Sequence, residues 1–200
     1  MRVGTMFLGE VERLGVESVQ TKFFILGVPV VPLESFYATG LTANGLQGFP
    51  IPLHASSVAA GYLRLGAGIV AFTLGLFAFL EWRDWSPQYG LATGAAVATA
   101  VWAASTFGLG RLGHAERLRR SRLQEAVGLG APPELLPETL RSDLATALEA
   151  KWAALSPDTD WRDRLQSGDA APDELLLLHA LAEYAGERDL AQFAAVGLAA

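Results

Sequence analysis

The chain of 200 residues contains no cysteine, two methionines and only three histidines. Without cysteine there is no disulfide framework, no thiolate zinc site and no cysteine nucleophile. His54, His114 and His179 are far apart in sequence and leave little for metal chemistry. Charge is scarce too, at 18% of residues against roughly 25% in an average soluble domain. The net charge of −6 argues against a general nucleic-acid binder. No phosphate-binding glycine loop, no G-x-S-x-G and no H-E-x-x-H occurs. What is abundant is apolar: 51% of residues, with a mean hydropathy of +0.29. That excludes a disordered chain and weighs against an ordinary soluble enzyme. The length allows one ordinary domain or two small ones.

The few charges are unevenly placed. Residues 65–80 and 85–110 carry none, and residues 35–63 carry none either but are rich in turn formers. Arg111, Arg117, Arg119, Arg120 and Arg122 follow as a basic cluster with Glu116. Residues 123–200 then hold 14 acidic and five basic residues. Four blocks are expected: a turn-rich β unit over 1–60, an apolar helical hairpin over 61–110, a basic helix over 111–127 and an acidic helical domain over 133–200.

The first hairpin helix is expected over 61–82. Residues 61–80 as a helix reach about 30 Å, the thickness of a hydrocarbon core. Arg64 stands near one end, where it can snorkel to headgroups, and Trp82 and Trp85 stand at the other, where an aromatic belt would lie. The second, over 88–110, is less apolar. It carries small residues at four-residue spacing, Gly90, Gly94 and Ala98, and Ala96, Ala100, Ala104 and Gly108, which let a partner helix approach closely. A pair of buried core helices in a soluble protein is the competing reading. It is weakened because soluble helices usually show a polar face.

Arginines near the helix ends orient the hairpin. Arg64, Arg111, Arg117, Arg119, Arg120 and Arg122 flank it outside, whereas the connecting loop has Arg83 alone. Both termini are therefore expected on the cytoplasmic side. No signal-peptide apolar core precedes Glu10 and Glu12, so no cleavable signal is expected. The arginines of the basic helix would meet lipid headgroups, either as a topology signal or by attraction to anionic lipid at about 1 kcal/mol each.

In the front unit, Ser18–Leu26 alternates with strand period: Val19, Thr21, Phe23 and Ile25 share one face. A second strand is expected over Leu33–Thr39, a turn at Asn44-Gly45, and an edge or extended segment over Phe49–Leu53, limited by Pro50 and Pro52. Ser56 or Ser57 is the expected cap of the helix that follows. The apolar run Phe23–Leu33 is too short to span a bilayer. It can serve as sheet core or dip into the membrane interface. The matching positions Thr21, Lys22, Phe23 and Phe24, then Pro29 and Pro32, resemble a pattern in small bacterial membrane proteins, where such a β motif precedes a transmembrane pair. The resemblance covers about a quarter of the chain and implies membrane association with no activity. Some such proteins carry a zinc ribbon in front, which this cysteine-free chain lacks.

In the tail, helices are expected over His114–Val127 and Glu138–Leu155, then a short one starting at Ser156-Pro157-Asp158 and running through Trp161 and Leu165. Another starts at Ala171-Pro172 and runs to Gly186, and a last one covers Arg188–Val196. The four leucines from Leu175 to Leu178 make the fourth of these the central helix. Trp152, Trp161, Leu175 and Leu178 are either its core or an exposed groove for a partner helix. His179 and Glu183 lie one turn apart, but two ligands without a third do not make a metal site. No catalytic, metal or cofactor-binding residue is identified.

The sequence thus predicts an α+β membrane protein with a small N-terminal antiparallel β unit, a two-helix transmembrane hairpin and a C-terminal cytosolic α-helical bundle. The expected role is a non-enzymatic anchor or scaffold in the inner membrane of a bacterium, a source suggested by the scarcity of lysine beside arginine. It would meet membrane lipid and a protein partner or a second copy of itself, and no nucleic acid. A subunit of an oligomeric transporter or channel, packed through Gly90, Gly94 and Ala98, is the alternative. So is a membrane-associated enzyme using His54, His114 or His179.

Overall fold

The computed structural model describes residues 3–26, 28–42, 45–83 and 89–199. Asn44, Trp85 and the rest of the loop 84–88 lie outside the described residues, as does the Trp82 side chain. The fold is α+β. The chain forms two compact units, residues 1–112 and 113–200.

The first unit joins a sheet to the hairpin. Strands β1 (Val3–Leu14), β2 (Glu17–Leu26), β3 (Val28–Thr42) and β4 (Gly45–Ile51) form an antiparallel meander in the order β1-β2-β3-β4. The expected alternation holds over Val19, Thr21 and Phe23, all fully buried on one face, but not at Ile25, which lies past a register break and is half-buried. Strand β3 is longer than its sequence pattern indicated, because Pro29 and Pro32 sit inside it. Each proline lies at a break in the β2–β3 register. Strand β4 reaches only to the pair Ser35–Ile51, so beyond Ser35 β3 has one free edge. A residue without an N–H is tolerated there. Strand β1 has no counterpart among the expected strands. Its register shifts around Gly9 and Glu12, where both residues have positive φ (70° and 54°), so the strict alternation that marks a strand is lost.

Helix α1 (Ala55–Arg83) starts on the sheet and continues as the first apolar helix. Gly9 makes that start possible: a Cβ there would fall on the carbonyl oxygen of Ser57. A Cβ on Gly61 would come within 2.8 Å of the Phe23 ring. This packing is why the sheet and hairpin form one unit rather than two. Helix α2 (Tyr89–Phe107) returns antiparallel to α1. A Cβ on Gly68 would meet the Trp102 indole at 3.3 Å, and one on Gly94 would meet Leu74 at 3.1 Å, so these two glycines lie where the helices approach closely. Both helices are long and apolar enough to cross a membrane.

The second unit is all-helical among its described residues: α3 (His114–Val127), a 3-10 turn (Pro133–Leu135), α4 (Glu138–Leu155), α5 (Trp161–Ser167), α6 (Pro172–Ala185) and α7 (Arg188–Gly197). Helix α6 packs against each of the other four helices. Its residues from Leu177 to Ala182 are all buried, as a central helix requires. Helix α5 starts later than expected. Ser156 to Asp160 is a turn, and the cap is Asp160, whose carboxylate accepts the Arg162 N–H at 2.8 Å. At α6 the expected start holds. Pro172 opens the helix, and Glu174 accepts the Ala171 N–H at 3.0 Å. That bond and Arg164 hold the Glu174 carboxyl below its usual range.

Candidate functional site

Two arrangements bear on function, one in each unit. In the first, a directed hydroxyl chain crosses the sheet–helix contact. The His54 N–H donates to Ser35 Oγ (2.9 Å), Ser35 bonds Thr21 Oγ1 (2.9 Å), Thr21 donates to Ser57 Oγ (2.8 Å), and Ser57 donates to the Gly9 carbonyl (2.7 Å). Thr21, Ser35 and Ser57 are fully buried. Each hydroxyl has one proton to give, so the chain has one polarity and no buried group is left unmatched. Nothing in the spacing of these residues revealed it. Ser57 is therefore not a helix cap; its proton goes across to β1. Ser56 bonds His54 Nδ1 (3.0 Å), and Glu12 lies 3.3 Å from His54 Nε2. This local set ties β1 to the start of α1.

Arg64 belongs to the same junction. Its guanidinium donates to the carbonyls of Glu10 (2.7 Å), Ser105 (3.0 Å) and Leu109 (3.5 Å). It thereby joins β1 to the C-terminal end of α2, where the helix dipole favours a cation. The sequence placed Arg64 at headgroup level. The structure adds three backbone partners within the protein.

The second arrangement is an open cleft of about 570 Å³ on the helical unit, walled by α3, α6 and α7 and the 3-10 turn. Arg119 crosses it, donating to Glu183 (2.8 Å) and Glu134 (3.0 Å). The bond to Glu183 raises the Arg119 pKa further above its ordinary value, against the effect of burial. Burial works against ionised Glu134, but backbone and Arg119 hydrogen bonds outweigh it and lower its pKa. His179 lies at the floor, 2% exposed, with neither ring nitrogen hydrogen-bonded. Burial pushes its pKa below its ordinary value, with Arg122 and Arg119 acting the same way and Glu183 opposing them. Tyr184, its hydroxyl buried without a partner, is pushed up to about 12 by burial. Leu118, Ala191 and Ala195 supply the apolar part of the cleft. Such a site holds one neutral imidazole and cations beside carboxylates. It can recognise a polar group but has no activated nucleophile. Among the described residues there is no cluster of three or more metal-ligating side chains.

The basic helix divides on this frame. Arg111 and Arg117 are exposed. Arg119 is bound to carboxylates. Arg120 is buried and pairs with Glu116 at 2.8 Å. Arg122 is half-buried in the cleft wall. In the small-residue stripe, Gly94 and Ala98 face α1, Gly90 has open space around it, and Ala100 and Ala104 are exposed. Gly108 lies past the helix end, its N–H bonded to the Ala104 carbonyl. Trp152, Trp161 and Leu178 are buried, and the Trp152 indole N–H donates to the Thr159 carbonyl (2.9 Å). They and the half-buried Leu175 form core rather than an exposed groove, because α6 is enclosed by its neighbours.

No family model, curated protein or solved structure matches this chain.

Proposed function

We propose that this protein is a non-enzymatic membrane anchor that displays a helical interaction unit on the cytoplasmic side of a bacterial inner membrane. One observation carries the reading. The most apolar 18-residue stretch of α1 has none of its residues buried, and that of α2 only 6%. Phe72, Phe79 and Phe107 are 74%, 69% and 60% exposed. Contiguous apolar surface of this extent marks contact with lipid or protein. The length of both helices fits a hydrocarbon core. Exposed Ala100 and Ala104 leave a small-residue face on α2 for a second copy or another membrane helix. On the helical unit, the cleft around Arg122 and the exposed Phe193 and Val196 offer surface for a protein partner.

Topology tests this directly. The native chain has no cysteine, so Ser86→Cys and Ser121→Cys report singly. A membrane-impermeant maleimide should label position 86 in spheroplasts and position 121 only after permeabilisation. Protection of both until lysis, with the protein in the soluble fraction, would overturn the reading.

A further inference from the structure

The sheet is polarised along its strands. Glu10, Glu12, Arg13 and Glu17 gather at one end, whereas Val3–Gly9 and Phe23–Leu33 contain no charged residue. The Lys22–Glu34 pair, 2.9 Å apart, marks the boundary. The uncharged end advances alongside α1. Thr21 bonds Ser57. Two residues further along β2, the Phe23 ring lies on Gly61 and packs edge-on against Tyr62, with ring centroids 5.2 Å apart. Two strand residues rise about 6.6 Å and four helical residues about 6 Å. Strand and helix therefore climb together over this contact, in the direction in which α1 becomes uniformly apolar. Leu26 lies about 10 Å beyond Phe23 along the strand.

Large apolar side chains are exposed at this end. Met6 is 53% exposed, Leu26 46%, Val31 47% and Leu33 48%. Among the described residues of the sheet, the charged side chains stand at the opposite end or at the boundary. We propose that the end of the sheet carrying Met6, Leu26, Val31 and Leu33 enters the boundary between lipid headgroups and acyl chains, beside α1. This rests on the membrane reading above and adds a second, shallow lipid contact to it. The depth is limited, because β1 is an edge strand and its outward N–H and C=O groups need water. The occupant is lipid because this apolar end runs on from the contact of Phe23 with Gly61 and Tyr62, from which α1 leads into its uncharged stretch over 65–80.

Full-length single-cysteine variants test it: Leu26→Cys, Val31→Cys, Leu76→Cys in the exposed face of α1, and Val16→Cys at the charged end of the sheet. Each is labelled with an environment-sensitive nitrobenzoxadiazole and reconstituted into phosphatidylcholine–phosphatidylglycerol vesicles carrying doxyl lipids. Labels at 26 and 31 should be quenched more by shallow than by deep doxyl groups. The label at 76 should be quenched, and that at 16 should not. If 76 is quenched while 26 and 31 behave like 16, the sheet does not touch lipid and the anchor reading stands. Blue-shifted but unquenched labels at 26 and 31 would mean that protein, such as a second copy, covers this end, and would equally overturn the proposal. If 76 is unquenched as well, the anchor reading fails and this inference with it.

Discussion

The two units handle apolar surface in opposite ways. The helical unit folds its leucines inward, with Leu123, Leu165 and Leu178 fully buried, and spends its arginines on carboxylates around them. The sheet–hairpin unit keeps polar groups inside. Its interior holds Val19, Phe23 and Tyr37 together with a chain of hydroxyls and one arginine braced on carbonyls, while Phe72, Phe79 and Phe107 of the hairpin face outward. In water an inverted arrangement of this kind would be poor, since apolar exposure costs about 25 cal/mol per Å². Against hydrocarbon the exposed phenylalanines cost nothing, and each unsatisfied backbone or hydroxyl group becomes the expensive item. On the proposed membrane reading, the contrast follows because the surroundings, as well as the composition, decide which side chains go inside.

Four substitutions test that contrast. The largest effect is expected in the helical core. Leu178→Ala removes a fully buried side chain from the central helix and should cost about 2–5 kcal/mol, read as lost hydrogen-exchange protection in α6. Phe72→Asp should be neutral on a soluble surface but costs about 3 kcal/mol in a spanning helix, so it should shift the protein out of the carbonate-resistant membrane fraction. Leu155→Asp, on a residue 61% exposed in the helical unit, should stay within about 0.5 kcal/mol. Equal effects of these two aspartates would erase the proposed difference between the units. Thr21→Val breaks the hydroxyl chain, leaves the Ser35 hydroxyl without its acceptor and Ser57 without its incoming donor, and should cost about 1–3 kcal/mol. Differential scanning calorimetry of the detergent-solubilised protein would measure it.

The smallest effect concerns pH. His179 has a folded pKa below its ordinary 6.5. The unfolded chain therefore takes up a proton first as pH falls. The stability that neutral His179 confers is complete above 6.5 and declines as pH drops through 6.5 toward the folded value. The acid effects of Glu134 and Glu174, whose pKa values are also lowered from 4.5, come at lower pH. His179→Gln should flatten the stability profile of the helical unit as pH falls below 6.5. An unchanged profile would mean that His179 is not the group responsible.

Much of the helical unit was legible because its signals are local. Leucine spacing, Pro172 at a helix start and Gly168 and Gly186 past helix ends each act within one or two turns. The same holds for the two apolar helices, whose length and lack of charge are properties of the linear chain. Strand β1 was not legible, since the irregularities at Gly9 and Glu12 destroy its period. Whether Trp152, Trp161, Leu175 and Leu178 form core or a groove could not be told from the sequence, because periodicity gives a face and not what covers it. The cleft was hidden for a related reason: Arg119 and Glu183 are 64 residues apart, and only the packing of α3 on α6 brings them together.

By itself, then, the sequence determined the division into apolar and acidic halves, the two long helices and most helix ends, since each depends on neighbours within a few residues. The tertiary structure alone decided that the sheet and hairpin are one unit, that Arg64 joins β1 to α2, and that four hydroxyl and carbonyl groups line up across the junction. Those depend on contacts between residues far apart in the chain, such as Arg64 and Glu10, 54 positions apart. Such contacts are set by how backbones approach at Gly9, Gly61, Gly68 and Gly94, where the absence of a side chain is the information and only the folded partner gives it meaning.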